Sequence, residues 1–362
     1  MKTEDYLQQR ILTGIKPTGV PHFGNYFGAI KPALKYAKYF KESLFFIADY
    51  HSLINQPKSL DLQSNIYKVT ATWLACGLNP KNSILFRQSD IPEILELSWI
   101  LACFSPKGML NRAHAYKAFL DKNTQENKKD LDIGINMGLY SYPVLMSSDI
   151  LSFDSHIVPV GQDQLQHLEM CRDIAGKINH HYKNNQLLTL PKALDKEELK
   201  KITGLAKTNL LETSITGLDG QKMSKSYDNY IPLFIEEKKL RKLIMKIQTD
   251  SVGVNDPKDP NKSLIMDWYK LFATHFEEED SNFNSSLHID KLVQSYKKGI
   301  SWGEAKEELF QLVNKTLASK RELYNQYMSD TKQLDKILLE GKDKARVLSK
   351  ATLARVKKVI FG

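Results

Sequence analysis

Short apolar runs broken by polar turns fill the first half of the chain, and helical spacing fills the second. Leu44-Phe45-Phe46-Ile47-Ala48 is unbroken and apolar, the pattern of a strand buried on both faces of a parallel sheet. Ile11-Leu12 (breaking at Thr13-Gly14), Ser83 to Phe86 and His156 to Val160 read as further strands. Between them lie helical patterns. Ile30, Leu34 and Ala37 share one, with Pro32 either kinking the helix or standing in the first turn of a new one. Asp61 is expected to cap a helix through Trp73 and Leu74 that Gly77 and Asn79-Pro80 stop. Ile94 to Phe104 reads as an apolar helix, either core or subunit contact. Tyr142 to Leu151 reads as another, and Gly161-Gln162-Asp163-Gln164 opens one that runs toward Ile178. The order β-α-β-α-β is half of a doubly wound sheet. Phe119 to Asp132 is polar and reads as an exposed loop; His180 to Leu210 is a polar, Lys-rich insertion.

Beyond Ile231 the strand signal fades. Leu243, Ile247, Leu264, Trp268 and Leu271 recur at helical spacing, and Leu309 onward is almost wholly helical. The pattern predicts an α/β fold: a doubly wound parallel-sheet (Rossmann-like) domain over 1–230, a helical C-terminal domain over 231–335, and a tail from about 336 to 362 packing back on the first. Lys342, Arg346 and Lys350 share a face of that tail, and Lys357 and Lys358 extend its basic end.

Composition narrows the class. Hydrophobic residues at 42% and charged ones at 26% are ordinary for a globular protein, and 362 residues suffice for two domains. The formal charge of +9 suits an anionic partner such as a nucleotide or nucleic acid. Cys76, Cys103 and Cys171 are far apart, which argues against structural zinc and fits a reducing cytoplasm. No apolar run spans a membrane, and the polar start from Met1 to Arg10 does not resemble a signal peptide.

The candidate chemistry sits at turns. Lys222-Met223-Ser224-Lys225-Ser226 follows Gly217, Asp219 and Gly220. Two ammonium groups and two hydroxyls on a glycine-flanked loop suit a grip on phosphates, open first and closed afterwards. Alone, it would be a solvated basic turn. Far upstream, His22-Phe23-Gly24-Asn25 opens a helix after a strand and a Gly-rich turn. Free backbone N–H groups and the positive end of the helix make a phosphate cradle there. Asp49-Tyr50-His51 lies past the second strand, where open α/β sheets place ligands.

These stretches resemble the class I aminoacyl-tRNA synthetases, with Asn25 where many members have a second His. The details are similar to the tryptophanyl branch: Thr13 to Gly19, Gly24 to Ala29, Tyr142 through Met146 to Asp149-Ile150-Leu151, Ile157 to Gln164, and Lys222 to Ser226. The resemblance implies ATP-dependent activation of L-tryptophan and its transfer to tRNA(Trp), with Mg2+, in a homodimer, and with no metal held by protein side chains. It implies that Lys222, Lys225 and His22 are catalytic. Lys16, Pro17, Thr18, Gly24, Asn25, Gly161, Gln162, Asp163, Met223, Ser224 and Ser226 would join them around ATP. Asp149, Met146, Tyr142, Gln164, His51 and Gly14 would hold tryptophan, and the helical domain would meet the tRNA near its anticodon. Lys16 stands where many bacterial relatives carry Gln, and His22 where some carry Thr.

Asp149 is the expected selector: indole offers one polar handle, an N–H donor, and an ionised carboxylate only accepts. A phenol also donates, so Asp149 leaves a tyrosine-specific relative open; Met146, soft and apolar, suits indole better. A nucleotidyltransferase without tRNA and a non-catalytic RNA-binding relative are two further competing readings of the same residues.

Overall fold

The structure, a computed structural model, describes residues 8–161, 164–184, 186–194 and 215–362, Ser226 by its backbone alone. Packing divides the chain into two units, one of residues 1–19, 29–211 and 330–362, the other of 20–28 and 212–329.

The first unit is built on a parallel sheet of β1 (Arg10–Ile15), β2 (Glu42–Ile47), β3 (Ile84–Arg87), β4 (Ile157–Val158) and β5 (Lys192–Ala193). Its order is β3-β2-β1-β4-β5, with every pair parallel. That is the order of a dinucleotide-binding sheet. Adjacent residues serve opposite faces. Leu12, Leu44, Phe46 and Phe86 belong to the larger core cluster, and Ile11 and Ile157 to a smaller one with Tyr36 and Phe40. β4 is shorter than the His156–Val160 run suggested.

The longer helices of this unit are α1 (Lys31–Ala37), α2 (Ser59–Ala75), α3 (Pro92–Phe104), α4 (His114–Gln125), α5 (Met137–Leu151) and α6 (Leu165–His181). Pro32 stands at the start of α1, directly after a π-helical stretch over Tyr26–Ile30, so its missing N–H falls where the helix is already irregular. Lys58, not Asp61, is the N-cap of α2; Asp61 lies in its first turn, facing the positive end of the helix. The polar stretch 119–132 is not a loop throughout. α4 runs through it to Gln125, and the buried Asn123 amide donates to the carbonyls of Leu131 (2.8 Å) and Ile133 (3.0 Å), tying down the residues beyond the helix. α5 starts five residues before Tyr142 because Asn136 caps it, accepting from the Leu139 N–H at 2.9 Å. On α3, Leu101 is a core residue, so it faces no second subunit, whereas Trp99 is 74% exposed.

The second unit begins its helices with α7 (Glu237–Ile244), α8 (Leu264–Glu279), α9 (Ser285–Lys297) and α10 (Trp302–Ser329). Segment 20–28 lies against α8: Phe23 packs on Trp268 and Phe272, and Phe27 on Phe272, in edge-to-face pairs with centroids 5.1–5.9 Å apart. The Tyr26 hydroxyl meets His275 Nε2 at 2.7 Å.

α11 (Thr331–Phe361) returns to the sheet unit, packing on β3 and α3. Arg346 grips the buried Glu93 through Nε and Nη2 (2.6 Å), which holds the Glu93 carboxyl below its usual range against the cost of burial. Arg355 meets Asp154 at 2.6 Å and Lys357 meets Glu96 at 2.6 Å. The basic face read from Lys342, Arg346 and Lys350 is therefore partly committed inside the unit. No helix among the described residues is long and apolar enough to cross a membrane.

Gly341 makes the close approach of α11 possible, since a methyl group there would overlap the Leu85 carbonyl. Gly341→Ala is therefore expected to destabilise the sheet unit by about 1–3 kcal/mol. Urea unfolding followed by circular dichroism measures it, and an unshifted midpoint would contradict the packing argument.

Candidate active site

In the sheet unit the candidate residues lie past the C-terminal ends of the strands. β1 leads to Lys16-Pro17-Thr18, closed by a Thr18 N–H to Lys16 carbonyl bond of 2.9 Å; Pro17 is buried and Lys16 exposed. β2 leads to the helical turn Asp49–Ser52, which carries His51. β3 leads to Gln88-Ser89-Asp90. These last two turns meet around Asp149 of α5.

Asp149 is 1% exposed. His51 Nε2 donates to its Oδ2 at 2.9 Å, and Gln88 Nε2 donates to its Oδ1 at 2.7 Å. Burial pushes the carboxyl above its ordinary range, and the His51 and Gln88 hydrogen bonds pull the other way. Asp49, likewise raised by burial, accepts from the N–H groups of Tyr50 (3.1 Å) and Ser89 (2.9 Å) and from the Ser89 hydroxyl.

Tyr142 and Gln164, predicted as neighbours of the substrate amine, are joined by a residue the sequence did not single out. His167 Nδ1 meets Gln164 Oε1 at 3.1 Å, and its Nε2 meets the Tyr142 hydroxyl at 2.5 Å. An amide oxygen only accepts, so Nδ1 carries the proton and Nε2 takes the hydroxyl hydrogen. Burial pushes Tyr142 up to about 12, which keeps the phenol neutral. His51 and Tyr142 also line a 350 Å³ cleft with Tyr50, Leu53, Leu95 and Leu145. Met146 packs on the core. Gly14 has a packing reason of its own: any side chain there would overlap the Phe46 ring. Gly161 is exposed, and Gln162 and Asp163 lie outside the described residues.

The second unit holds both phosphate signatures. His22 caps the helical turn Phe23–Asn25 in a reciprocal box: the Asn25 N–H donates to His22 Nδ1 (3.3 Å), and Asn25 Oδ1 accepts the His22 N–H (3.0 Å). With Nδ1 accepting, the neutral ring carries its proton on Nε2. Burial lowers His22 to about 4, with the Lys225 ammonium adding to the shift. The imidazole is thus a neutral donor at physiological pH. The Gly24 N–H reaches Met223 Sδ at 3.3 Å, linking the two signatures directly across 199 positions of sequence.

The lysine loop is organised by Asn229, read from the sequence only as a turn former. Its Oδ1 accepts the Ser224 N–H (2.8 Å), while Nδ2 donates to Asp219 Oδ1 (2.8 Å) and the Lys222 carbonyl (3.1 Å). Lys222 is exposed, Ser224 and Lys225 half-buried, and Met223 buried. Gln88 could have been found by the rule that flagged His51, since it directly follows the end of a strand.

The depressed His22 value carries a sign for stability. An unfolded imidazole titrates near 6.5, so as pH falls the unfolded chain takes up this proton first. The stability that neutral His22 contributes is complete above about pH 6.5 and is lost as pH falls toward 4. His22→Gln should flatten that part of the pH–stability curve; equal slopes for variant and parent in urea midpoints would count against the assignment.

Comparison with known proteins gives the family of the chain. A family profile for tRNA synthetases class I (W and Y) matches residues 7–318. The chain is 43% identical over 354 residues to the tryptophan–tRNA ligase of Neisseria meningitidis, covering 98% of each. It is 44% identical over 353 residues to that of Pseudomonas putida, covering 97% of this chain and 73% of the relative. The crystal structure of the tryptophanyl-tRNA synthetase from Campylobacter jejuni complexed with ADP and tryptophan matches it with a TM-score of 0.81 at 38% identity, over 97% of this chain and 99% of that one. By sequence along nearly its whole length, and by fold, the chain belongs to the class I tRNA synthetases of the tryptophan and tyrosine group.

Proposed function

We propose that the chain activates L-tryptophan with ATP, forming tryptophanyl-adenylate and pyrophosphate, and then transfers tryptophan to tRNA(Trp) in the cytoplasm. The observation that carries the amino-acid assignment is the buried Asp149 carboxylate held by His51 and Gln88. It is an acceptor suited to the one donor of an indole ring.

The amino acid's carboxylate attacks the α-phosphorus, a new P–O bond forms, and the bond to the leaving pyrophosphate breaks. No proton needs to move, so positioning and charge stabilisation supply the rate. Lys222 and Lys225 neutralise the pyrophosphate. Met223, Ser224 and Ser226 shape the loop around it, and His22 donates through Nε2–H to a phosphate oxygen. Gly24 and Asn25 form the turn that admits the nucleotide. Lys16, Pro17 and Thr18 serve ATP from the end of β1, and Gly161, Gln162 and Asp163 serve its adenosine.

Asp149 accepts the indole N–H, with Met146, His51 and Gly14 around the ring. Tyr142 and Gln164 accept from the α-ammonium group, and His167 fixes both acceptors by taking one hydroxyl hydrogen and giving one N–H. Among the described residues no three His, Cys, Asp or Glu side chains gather as a metal site. Mg2+ would ride on the phosphates, where it would supply further charge neutralisation. The helices α7 to α10 of the second unit meet the tRNA near the anticodon, mainly through phosphates, so binding weakens with salt. The homodimer would use α3 through its exposed Trp99 and Leu95.

Pyrophosphate exchange dependent on tryptophan is the direct test, and exchange with tyrosine instead would sink the reading. Asp149→Ala should raise KM for tryptophan about 10- to 100-fold, the equivalent of about 1–3 kcal/mol, with KM for ATP nearly unchanged. Lys16→Gln should do the reverse, weakening ATP more than tryptophan; equal changes in both dissociation constants would contradict the placement of Lys16.

A further inference from the structure

Gln88 is completely buried, and both ends of its amide are engaged. Its Oε1 accepts the Tyr50 N–H at 3.0 Å, and its Nε2 donates to Asp149 Oδ1 at 2.7 Å. A backbone N–H can only donate, so the amide has one tolerable orientation. Flipped, it would set donor against donor at Tyr50 and acceptor against acceptor at Asp149. The Tyr50 N–H is itself fixed, since it also reaches Asp49 Oδ1, and the same carboxylate holds the Ser89 N–H beside Gln88. The turn after β2 and the turn after β3 are thus stapled together, with Gln88 projecting a rigid donor at Asp149.

His51 differs from Gln88 in kind. Its ring sits at the rim of the open cleft, edge-on to Tyr142 at 6.5 Å, whereas Gln88 lies wholly inside. One oxygen of Asp149 is therefore oriented by an immobile amide, and the other faces a ring that borders open space. A carboxylate oxygen can accept more than one hydrogen bond. An additional donor can be received only if the plane of the carboxylate is held.

We propose that Gln88 is a positioning residue for amino-acid selection: its locked amide fixes the Asp149 carboxylate so that Oδ2 presents a lone pair to the indole N–H. It thereby sets the preference for tryptophan over amino acids of the same shape that lack the donor. This rests on the reading of Asp149 as the indole acceptor. A site built around a substrate donor rejects the analogue without it far more strongly than an apolar pocket rejects a matching shape. That rejection requires an acceptor fixed in place, because a carboxylate free to turn finds other partners.

The test compares kcat/KM in pyrophosphate exchange for L-tryptophan and for L-3-benzothienylalanine, in which sulfur replaces the N–H. The ratio is independent of the fraction of enzyme that is folded. The parent enzyme should favour tryptophan strongly, and Asp149→Ala should bring the ratio close to one. Gln88→Met, similar in length but without a donor, should lower the ratio at least tenfold through KM for tryptophan, with KM for ATP changed less than twofold. Gln88→Asn, which keeps the amide but withdraws it by one methylene, should lower the ratio as well and serves if the Met variant is insoluble. A merely structural Gln88 would lower both activities together and leave the ratio intact, and that result overturns the proposal. A parent ratio near one would instead overturn the reading of Asp149 on which it stands.

Discussion

A carboxylate shut away from water must be supplied with donors or it will take up a proton. Asp149 is such a group, and much of the sheet unit can be understood as the supply. The parallel register of β1, β2 and β3 brings the turns after β2 and β3 side by side, and each delivers one donor. Asp49 ties those turns to each other from beneath. Asn136 caps α5 and fixes where that helix starts, and with it the position of Asp149 along its length. The apolar core beneath, with Phe46 stacked on Phe86, keeps this arrangement dry. On the proposed role of Asp149, selection of an amino acid by a single N–H depends on sheet register as much as on the residue that makes the contact.

The phosphate site proposed for the second unit poses a different problem. A site for phosphates needs donors that are free when the nucleotide arrives and satisfied when it is absent. The Gly24 N–H rests on a thioether, a weak acceptor that a phosphate oxygen readily displaces. The Ser224 N–H rests on the Asn229 side chain, which also holds the Lys222 carbonyl. The lysine loop is therefore held in shape by one amide side chain rather than by regular secondary structure, a hold strong enough to define a conformation and local enough to be remade.

Much of this was legible in the sequence, and the reasons differ by residue. The strands showed because parallel strands buried on both faces must be continuously apolar, as in 44–48. The candidate site stretches stood out by their joint resemblance to a known family, since a glycine-flanked lysine loop or a Gly-Asn turn alone reads as an ordinary turn. Gln88, His167 and Asn229 did not show. His167 and Asn229 act through other side chains, and an amide or imidazole that orients a neighbour has no spacing of its own; Gln88 stands just past a strand end, where the rule that flags His51 applies to it as well. The expectation of a loop over 119–132 failed for a related reason: one buried side chain, Asn123, supplies order that composition does not reveal. Leu101 and Trp99 looked alike as apolar residues of one helix, and only the packing of α3 separates core from surface.

The approach of α11 to β3 also bears on how the protein is made. Glu93 and Arg346 are 253 residues apart in sequence, and the backbone of Leu85 meets Gly341 over a similar span. On the ribosome, β3 and α3 emerge long before the helix that packs on them, and most of the second unit, residues 212–329, is synthesised in between. The part of the core that Ala345, Leu353 and Val356 later complete, in one cluster with Phe86, Ile94 and Leu97, stays unfinished through that interval. Contacts of such long range are slow to form, and unfinished apolar faces invite aggregation. The last helix to be made thus completes a core begun by the third strand, so this part of the sheet unit closes only when synthesis is nearly finished.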